Sequence, residues 1–194
     1  MLSMPELHIK KAARVIEAGG VIAYPTEAVW GLGCDPANRE ACLALLQIKQ
    51  RPVEKGMILV AASVAQFASL LAPLSQAQQQ QLPHAWADQA KTGPVTFLVP
   101  DVLEQVPWWV KGEYGAVALR VSLHPLVQQL CNAVGAALVS TSANIAGAAP
   151  AKTRLLVEKA LGAQLDYVLP GALGGATRPS QIIDLSSGRV VRAG

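Results

Sequence analysis

Apolar positions along this chain follow two periods. In residues 5–19, Ile9, Ala12, Ala13 and Ile16 recur at i, i+3, i+4 and i+7, which predicts a helix with one buried stripe. Gly19-Gly20 ends it. Val21 to Tyr24 is a short apolar run closed by Pro25 and reads as a strand. Residues 39–50 return to the helical period, with Cys42, Leu45 and Leu46 on one face, and Pro52 bars continuation. Met57 to Ala61, Val95 to Val99, Ala116 to Val121 and Ala137 to Ser140 read as strands, while 64–71 and 76–90 read as helices. Pro125 suits the first position of a further helix, with His124 before it. A helix over 153–161 and short strands near 166–169, 181–185 and 189–192 complete the pattern. Helices alternating with short β-rich runs predict an α/β fold. Polar residues gather at the strand ends, where open α/β sheets bind ligands.

Composition narrows the class. At 194 residues the length favours one domain. The chain is 52% hydrophobic and 15% charged, too apolar and too weakly charged for a disordered chain. The mean hydropathy of +0.32 owes much to 32 alanines. No run of the ~18 apolar residues that a bilayer-spanning helix needs is present. Charges among the first twenty residues stand where a signal peptide would need its apolar stretch, so a cytoplasmic protein with no membrane association is expected. Cys34, Cys42 and Cys131 have unrelated spacings and form neither a disulfide framework nor a metal knuckle; they read as small buried hydrophobes. A net charge of +3 permits an anionic ligand without requiring nucleic acid.

Four segments carry candidate chemistry, each beside an ordinary structural reading. In Tyr24-Pro25-Thr26-Glu27-Ala28-Val29-Trp30-Gly31-Leu32-Gly33, a strand runs into a proline turn and presents Thr26 and Glu27. Gly31 and Gly33 would let the backbone turn tightly or approach a small polar ligand. The alternative is a plain strand-to-loop turn. In Lys49-Gln50-Arg51-Pro52-Val53-Glu54-Lys55-Gly56, three cations lie within seven residues. They would suit phosphate, Lys as a point charge and Arg as a planar fork, or would merely offset a helix dipole. Ser140-Thr141-Ser142-Ala143-Asn144 offers donors and acceptors without charge, for phosphate or ribose, or as a helix cap. The segment from Arg178 through Ser180 and Asp184 to Arg192 is a basic stretch that also fits a solvated face.

Several common devices are missing. No GxxxxGK[ST], no helix-opening GxGxxG, no HExxH and no GxSxG occurs, and His8, His84 and His124 are isolated. A nucleotide would therefore need an atypical cradle.

In combination, PTEAVWGLG, KQRPVEKGMILV, GPVTFLVP, VALRVSLHP, STSAN and PSQIIDL occur in the order seen in YrdC-like proteins, and the chain resembles their short bacterial form from about residue 8 to 194. The resemblance implies a single YrdC-like domain over 8–194, without the C-terminal domain of longer members. It implies an open twisted mixed sheet with helices around it and a concave basic cavity. The implied reaction joins L-threonine, bicarbonate (or dissolved CO2) and ATP into threonylcarbamoyl-AMP, with pyrophosphate released. Partner transferase proteins would then pass the threonylcarbamoyl group to adenosine in tRNA. Mg2+ is expected on the triphosphate, with no tightly bound protein metal.

On the same resemblance, Lys49 and Arg51 match a KxR element, are the expected catalytic pair, and bind ATP with Lys55, Ser142, Asn144 and Arg192. Thr26, Arg120, Ser140 and Ser180 match the threonine-contacting positions, Arg120 facing the carboxylate. Val60, Ala116 and Pro150 depart from the longer members, which carry a histidine and two hydroxyls there. The rival reading is an RNA-binding module, for tRNA or ribosomal RNA, acting through the basic cavity, with tRNA or double-stranded RNA as the partner. Aromatic residues at 5%, with no basic–aromatic interleaving, disfavour it.

Overall fold

In a computed structural model, which describes residues 3–194, the chain forms one nine-stranded mixed sheet flanked by helices. In order the elements are α1 (Met4–Glu17), β1 (Ile22–Pro25), β2 (Trp30–Gly33), α2 (Arg39–Ile48), β3 (Ile58–Ala61), α3 (Ala68–Leu71), α4 (Gln76–Ala87), α5 (Gln89–Thr92), β4 (Val95–Pro100), α6 (Trp108–Lys111), β5 (Ala116–Val121), α7 (Pro125–Val134), β6 (Leu138–Ser142), α8 (Arg154–Leu161), β7 (Tyr167–Val168), β8 (Gln181–Asp184) and β9 (Val190–Arg192). The strand order is β7-β1-β2-β6-β3-β5-β4-β8-β9. Only β1–β7, β3–β5 and β4–β8 are parallel pairs.

Period-2 alternation divides the side chains between two faces. On β5, Val117, Leu119 and Val121 enter the larger core, while Ala116, Ala118 and Arg120 face the other way. On β3, Leu59 and Ala61 join that core, whereas Ile58 and Val60 face the second side. The larger core is completed by residues of α2, α4 and α6, among them Leu45, Leu82, Trp86 and Val110. Trp86 meets Phe97 edge-on at 5.8 Å, a favoured aromatic geometry.

The second side is covered only in part. Ile9, Ala12 and Ile16 of α1 and Val127, Leu130 and Cys131 of α7 pack over Ile22, Tyr24, Val60 and Leu138. Beyond Val60 this helical cover stops. One rung of paired residues then crosses five strands, Ser140–Ile58–Ala118–Leu98–Asp184, and lines an open cavity. The fold thus leaves half of one sheet face for a ligand.

Several elements depart from the periodic reading. Residues 30–33 form strand β2, not a loop. Gly31 and Gly33 are absent from the left-handed region, so neither makes a turn. A Cβ at Gly33 would lie 2.5 Å from the Val139 carbonyl oxygen and 2.7 Å from the Tyr24 ring, so glycine there permits close packing. The helix expected over 76–90 breaks at Asp88 into α4 and α5. Helix α6 carries no apolar period, being four residues long and opened by Pro107. Strand β6 runs on through Ser140, Thr141 and Ser142, so these hydroxyls belong to a strand and cap no helix.

Gly33→Ala is expected to lower the unfolding free energy by ~1–3 kcal/mol, the range for overpacking a filled site. Gly115, which has nothing within 4 Å of a built Cβ, is the control: Gly115→Ala should stay within about 0.5 kcal/mol of wild type. Urea unfolding of the two variants measures the difference.

Candidate active site

The cavity holds about 730 Å³ and is lined by five cations, Arg51, Lys55, Lys111, Arg120 and Arg192, against one carboxylate, Asp184. That imbalance makes it a place for anions. Thr26, Ser140, Ser142 and Ser180 also line it. Eight of the ten expected site residues therefore share one wall or rim, although they come from six separate stretches of chain. Lys49 and Asn144 do not line the cavity; they lie beneath it.

Two of these stretches are joined by Lys49. Helix α2 ends there, and Gln50 takes a left-handed φ of 49°, which turns the chain toward Arg51. The Lys49 ammonium is buried and donates to the carbonyl oxygen of Ser142 and, at 2.9 Å, to that of Asn144. The backbone repeats the link, Ala146 N–H donating to the Lys49 carbonyl at 2.8 Å. Asn144 Nδ2 donates to the carbonyls of Ile145 and Ala148, both at 2.8 Å, and its Oδ1 is buried without a partner. Lys49 and Asn144 thus fix the end of β6 at Ser142 and the turn that follows it. Burial, and then the nearby Arg51 charge, push the Lys49 pKa down to about 8.

Arg51 braces the next loop. Its Nη2 donates to the carbonyls of Lys55, at 3.0 Å, and Gly56, at 2.9 Å, while its Nε is buried without a partner. Burial holds the guanidinium below its ordinary pKa, which leaves it in want of an anion. Lys55 stands exposed at the rim. Lys111 is paired with Asp101 at 2.8 Å.

Further along the wall, Pro25 ends β1 and places Thr26, whose hydroxyl donates to the Val29 carbonyl at 2.7 Å. The next residue, Glu27, is buried and its Oε2 lies 2.5 Å from Arg120 Nη2. Burial pushes the Glu27 pKa up, but Arg120, the Ser122 hydroxyl and His124 outweigh it and leave the carboxyl below its usual range. Ser180 Oγ shares a hydrogen bond of 2.8 Å with Thr96 Oγ1. Arg192 Nη2 donates to the Ser180 carbonyl at 2.8 Å. Burial, and then repulsion from Arg120, hold Arg192 below its ordinary pKa.

The pairing role of Glu27 and the places of Lys111, Tyr114 and Asp184 on the wall were not read from the sequence. For Glu27 a signal existed. A carboxylate followed directly by Ala28-Val29-Trp30 sits on a buried run, and a buried charge needs a cation.

Comparisons with known proteins show what the chain as a whole is similar to. The Sua5/YciO/YrdC family model, described as telomere recombination, matches residues 14–194. A threonylcarbamoyl-AMP synthase of Marinobacter nauticus is 53% identical over 186 residues, covering 96% of this chain and 95% of its own. The crystal structure of P. abyssi Sua5 complexed with L-threonine superposes with a TM-score of 0.81 at 28% identity. That match covers 95% of this chain and 53% of the P. abyssi chain. E. coli YciO, at 24% identity and a TM-score of 0.79, shares the fold over 96% of this chain and 89% of its own.

The buried Lys49 ammonium gives a pH-dependent prediction. Its folded pKa of about 8 lies below the ordinary 10.5, so between these values the unfolded chain binds more protons. Stability from this group therefore rises with pH across that window, as the burial penalty is relieved. In Lys49→Met this term vanishes. The wild-type advantage over the variant should grow from about pH 8 to about 10.5, measured by urea unfolding across pH. An advantage that shrinks over that range contradicts the burial.

Proposed function

The chain belongs to the Sua5/YciO/YrdC family, and from that premise we infer that it is an ATP-using threonylcarbamoyl-AMP synthase serving threonylcarbamoyl modification of tRNA. It is thus a nucleotidyltransferase. L-Threonine and bicarbonate form a carbamate with loss of water. A carbamate oxygen attacks the α-phosphorus of ATP, the α–β bridging P–O bond breaks, and pyrophosphate leaves. Partner transferases would carry the product to tRNA.

The observation that carries this reading is one cavity lined by five cations and a single carboxylate, a place that suits the anions of both substrates. Arg51 and Lys55, with the Ser142 hydroxyl, are assigned to the triphosphate. Arg51 lines the cavity, and Lys55 offers an exposed ammonium. Lys49 and Asn144 serve the same nucleotide by holding the end of β6 at Ser142. Arg192 is assigned to the nucleotide as well, with its Nη2 held on the Ser180 carbonyl. Thr26, Arg120, Ser140 and Ser180 are assigned to threonine, with Arg120 on the carboxylate. Val60 is packed in the second core and does not line the cavity, while Ala116 and Pro150 line it without hydroxyls.

A carbamate is already an oxygen nucleophile, so no strong protein base is required. The barrier lies in bringing two anions together. Fixed cations and oriented dipoles offset that repulsion and stabilise charge at the α-phosphorus. Orientation in the cavity contributes up to ~7–11 kcal/mol more. Asp184 is the only carboxylate on the described lining, so Mg2+ would be held chiefly by the triphosphate, where it would neutralise phosphate charge.

Purified protein should release pyrophosphate from ATP only with both threonine and bicarbonate, and without RNA. Serine lacks one methyl and should be slower by the ~1–3 kcal/mol that such a group contributes. Valine, which leaves a buried polar partner unpaired, should lose a further ~1–3 kcal/mol. Arg51→Ala should cost ~1.5–3 kcal/mol in turnover, with only part restored by Arg51→Lys. Pyrophosphate release that needs RNA but not threonine would overturn the assignment.

A further inference from the structure

Strand β4 alternates, with Val95, Phe97 and Val99 in the larger core and Leu98 on the cavity wall. The same period puts Thr96 on the face of Leu98, where it is wholly buried. Its hydroxyl meets one group, Ser180 Oγ, at 2.8 Å. Ser180 lines the cavity just before β8, and the Gln181 N–H donates to the Pro94 carbonyl at 3.0 Å, which keeps the two strands in step. A second donor also reaches Ser180 Oγ. Arg192 Nη2 lies 3.4 Å from it, besides its bond to the Ser180 carbonyl.

A hydroxyl has one proton to give and two lone pairs to accept with. Thr96 is closed to solvent, and a buried polar proton without an acceptor costs free energy. Ser180 Oγ is the one acceptor that the described residues offer it. Thr96 therefore donates to Ser180. Arg192, which carries only donors, takes the other lone pair. Both acceptor positions of Ser180 are then used, and its own proton is the capacity left over. Among the described residues no other acceptor lies within hydrogen-bond distance of Ser180 Oγ, so that proton is kept for a group in the cavity.

We propose that Thr96 is a positioning residue for the amino acid: it fixes Ser180 as a hydrogen-bond donor, so that Ser180 meets an oxygen of L-threonine and never its ammonium group. The proposal rests on the assignment of Ser180 to threonine. Thr96 does not line the cavity; it acts through the one hydroxyl. An ammonium group is a donor without lone pairs, so it finds no acceptor at Ser180 and must take one elsewhere. A hydroxyl already aimed before the ligand arrives also costs less to order on binding.

Calorimetric titration with L-threonine separates this role from packing. Thr96→Val keeps the shape and the strand preference but has no proton for Ser180. It should weaken threonine by about three- to tenfold, the range of one hydrogen bond. Thr96→Ser restores the proton and should bind within about twofold of wild type. In a Ser180→Ala background, Thr96→Val should have no further effect, since its only route is gone. Threonine bound by Thr96→Val as by wild type, or weakened by the same factor with and without Ser180, overturns the proposal. Should Thr96→Val fail to fold, the ligand reports the same polarity. L-2-Aminobutyrate lacks the hydroxyl of threonine and 1-amino-2-propanol lacks its carboxylate, while both keep the ammonium. The loss caused by Ser180→Ala should disappear with one of the two, the one without the oxygen that Ser180 serves. A loss retained in full with both shows Ser180 accepting from the ammonium and overturns the proposal. Threonine bound by Ser180→Ala as by wild type removes Ser180 from the subsite and the proposal with it. A loss there, with no effect of Thr96→Val, leaves the assignment standing and overturns the proposal alone.

Discussion

Cations gathered around one cavity repel one another, and much of this structure is arranged to hold them where they are. Four of the five lining cations are tied, two to carboxylates and two to backbone carbonyls, and Lys55 stands exposed at the rim. Arg120 is paired with a buried carboxylate, Lys111 with Asp101, Arg51 with two carbonyls of its own loop, and Arg192 with the Ser180 carbonyl. Only Arg120 and Lys111 have their charge matched. Breaking a buried pair by removing one partner typically costs ~3–5 kcal/mol, because the survivor is left uncompensated. The ligand's anions supply the compensation that the protein withholds from Arg51 and Arg192.

The sheet makes that arrangement possible. Its larger core is sealed by helices on one face. On the other face, α1 and α7 stop at Val60, and the remaining rung from Ser140 to Asp184 stays open. Small side chains at Ala116 and Ala118 keep the floor low. The antiparallel pair β1–β2 then brings Thr26 and Gly31 to one end of this opening, and Gly33 lets β2 sit directly against Tyr24 and Val139. Cations thus stand on rigid strand ends or on loops pinned to them, as preorganised electrostatic stabilisation requires.

Much of this was legible in the chain, for local reasons. The alternation of Val117, Leu119 and Val121 and the i, i+3, i+4 stripe of α1 are short-range signals, and both elements formed as read. Strand β2 was illegible because Gly31 and Gly33 carry no β preference; their value lies in contacts with Tyr24 and Val139, which local pattern does not express. Helix α6 is too short for any period. The cations of the Lys49–Lys55 segment were visible as a cluster. That Lys49 turns inward was not, because its partners lie 93 and 95 residues away. The assignment of Arg120 came only from resemblance to a family, since a lone arginine in an apolar strand has no local reason to be chosen. Glu27 carries a signal of its own, because a carboxylate in an apolar run needs a cation, here Arg120.

The central claim is that one cavity has two electrostatically separate places, one for the nucleotide and one for the amino acid. A crossed titration tests it most directly. Calorimetric binding of ATP and of L-threonine is measured separately on Arg51→Ala and on Arg120→Ala. Arg51→Ala should lose about ten- to hundredfold in ATP affinity, the equivalent of a charge-assisted contact, while binding threonine as wild type does. Arg120→Ala should show the reverse. Equal losses of both ligands in both variants, or no loss in either, would contradict the account.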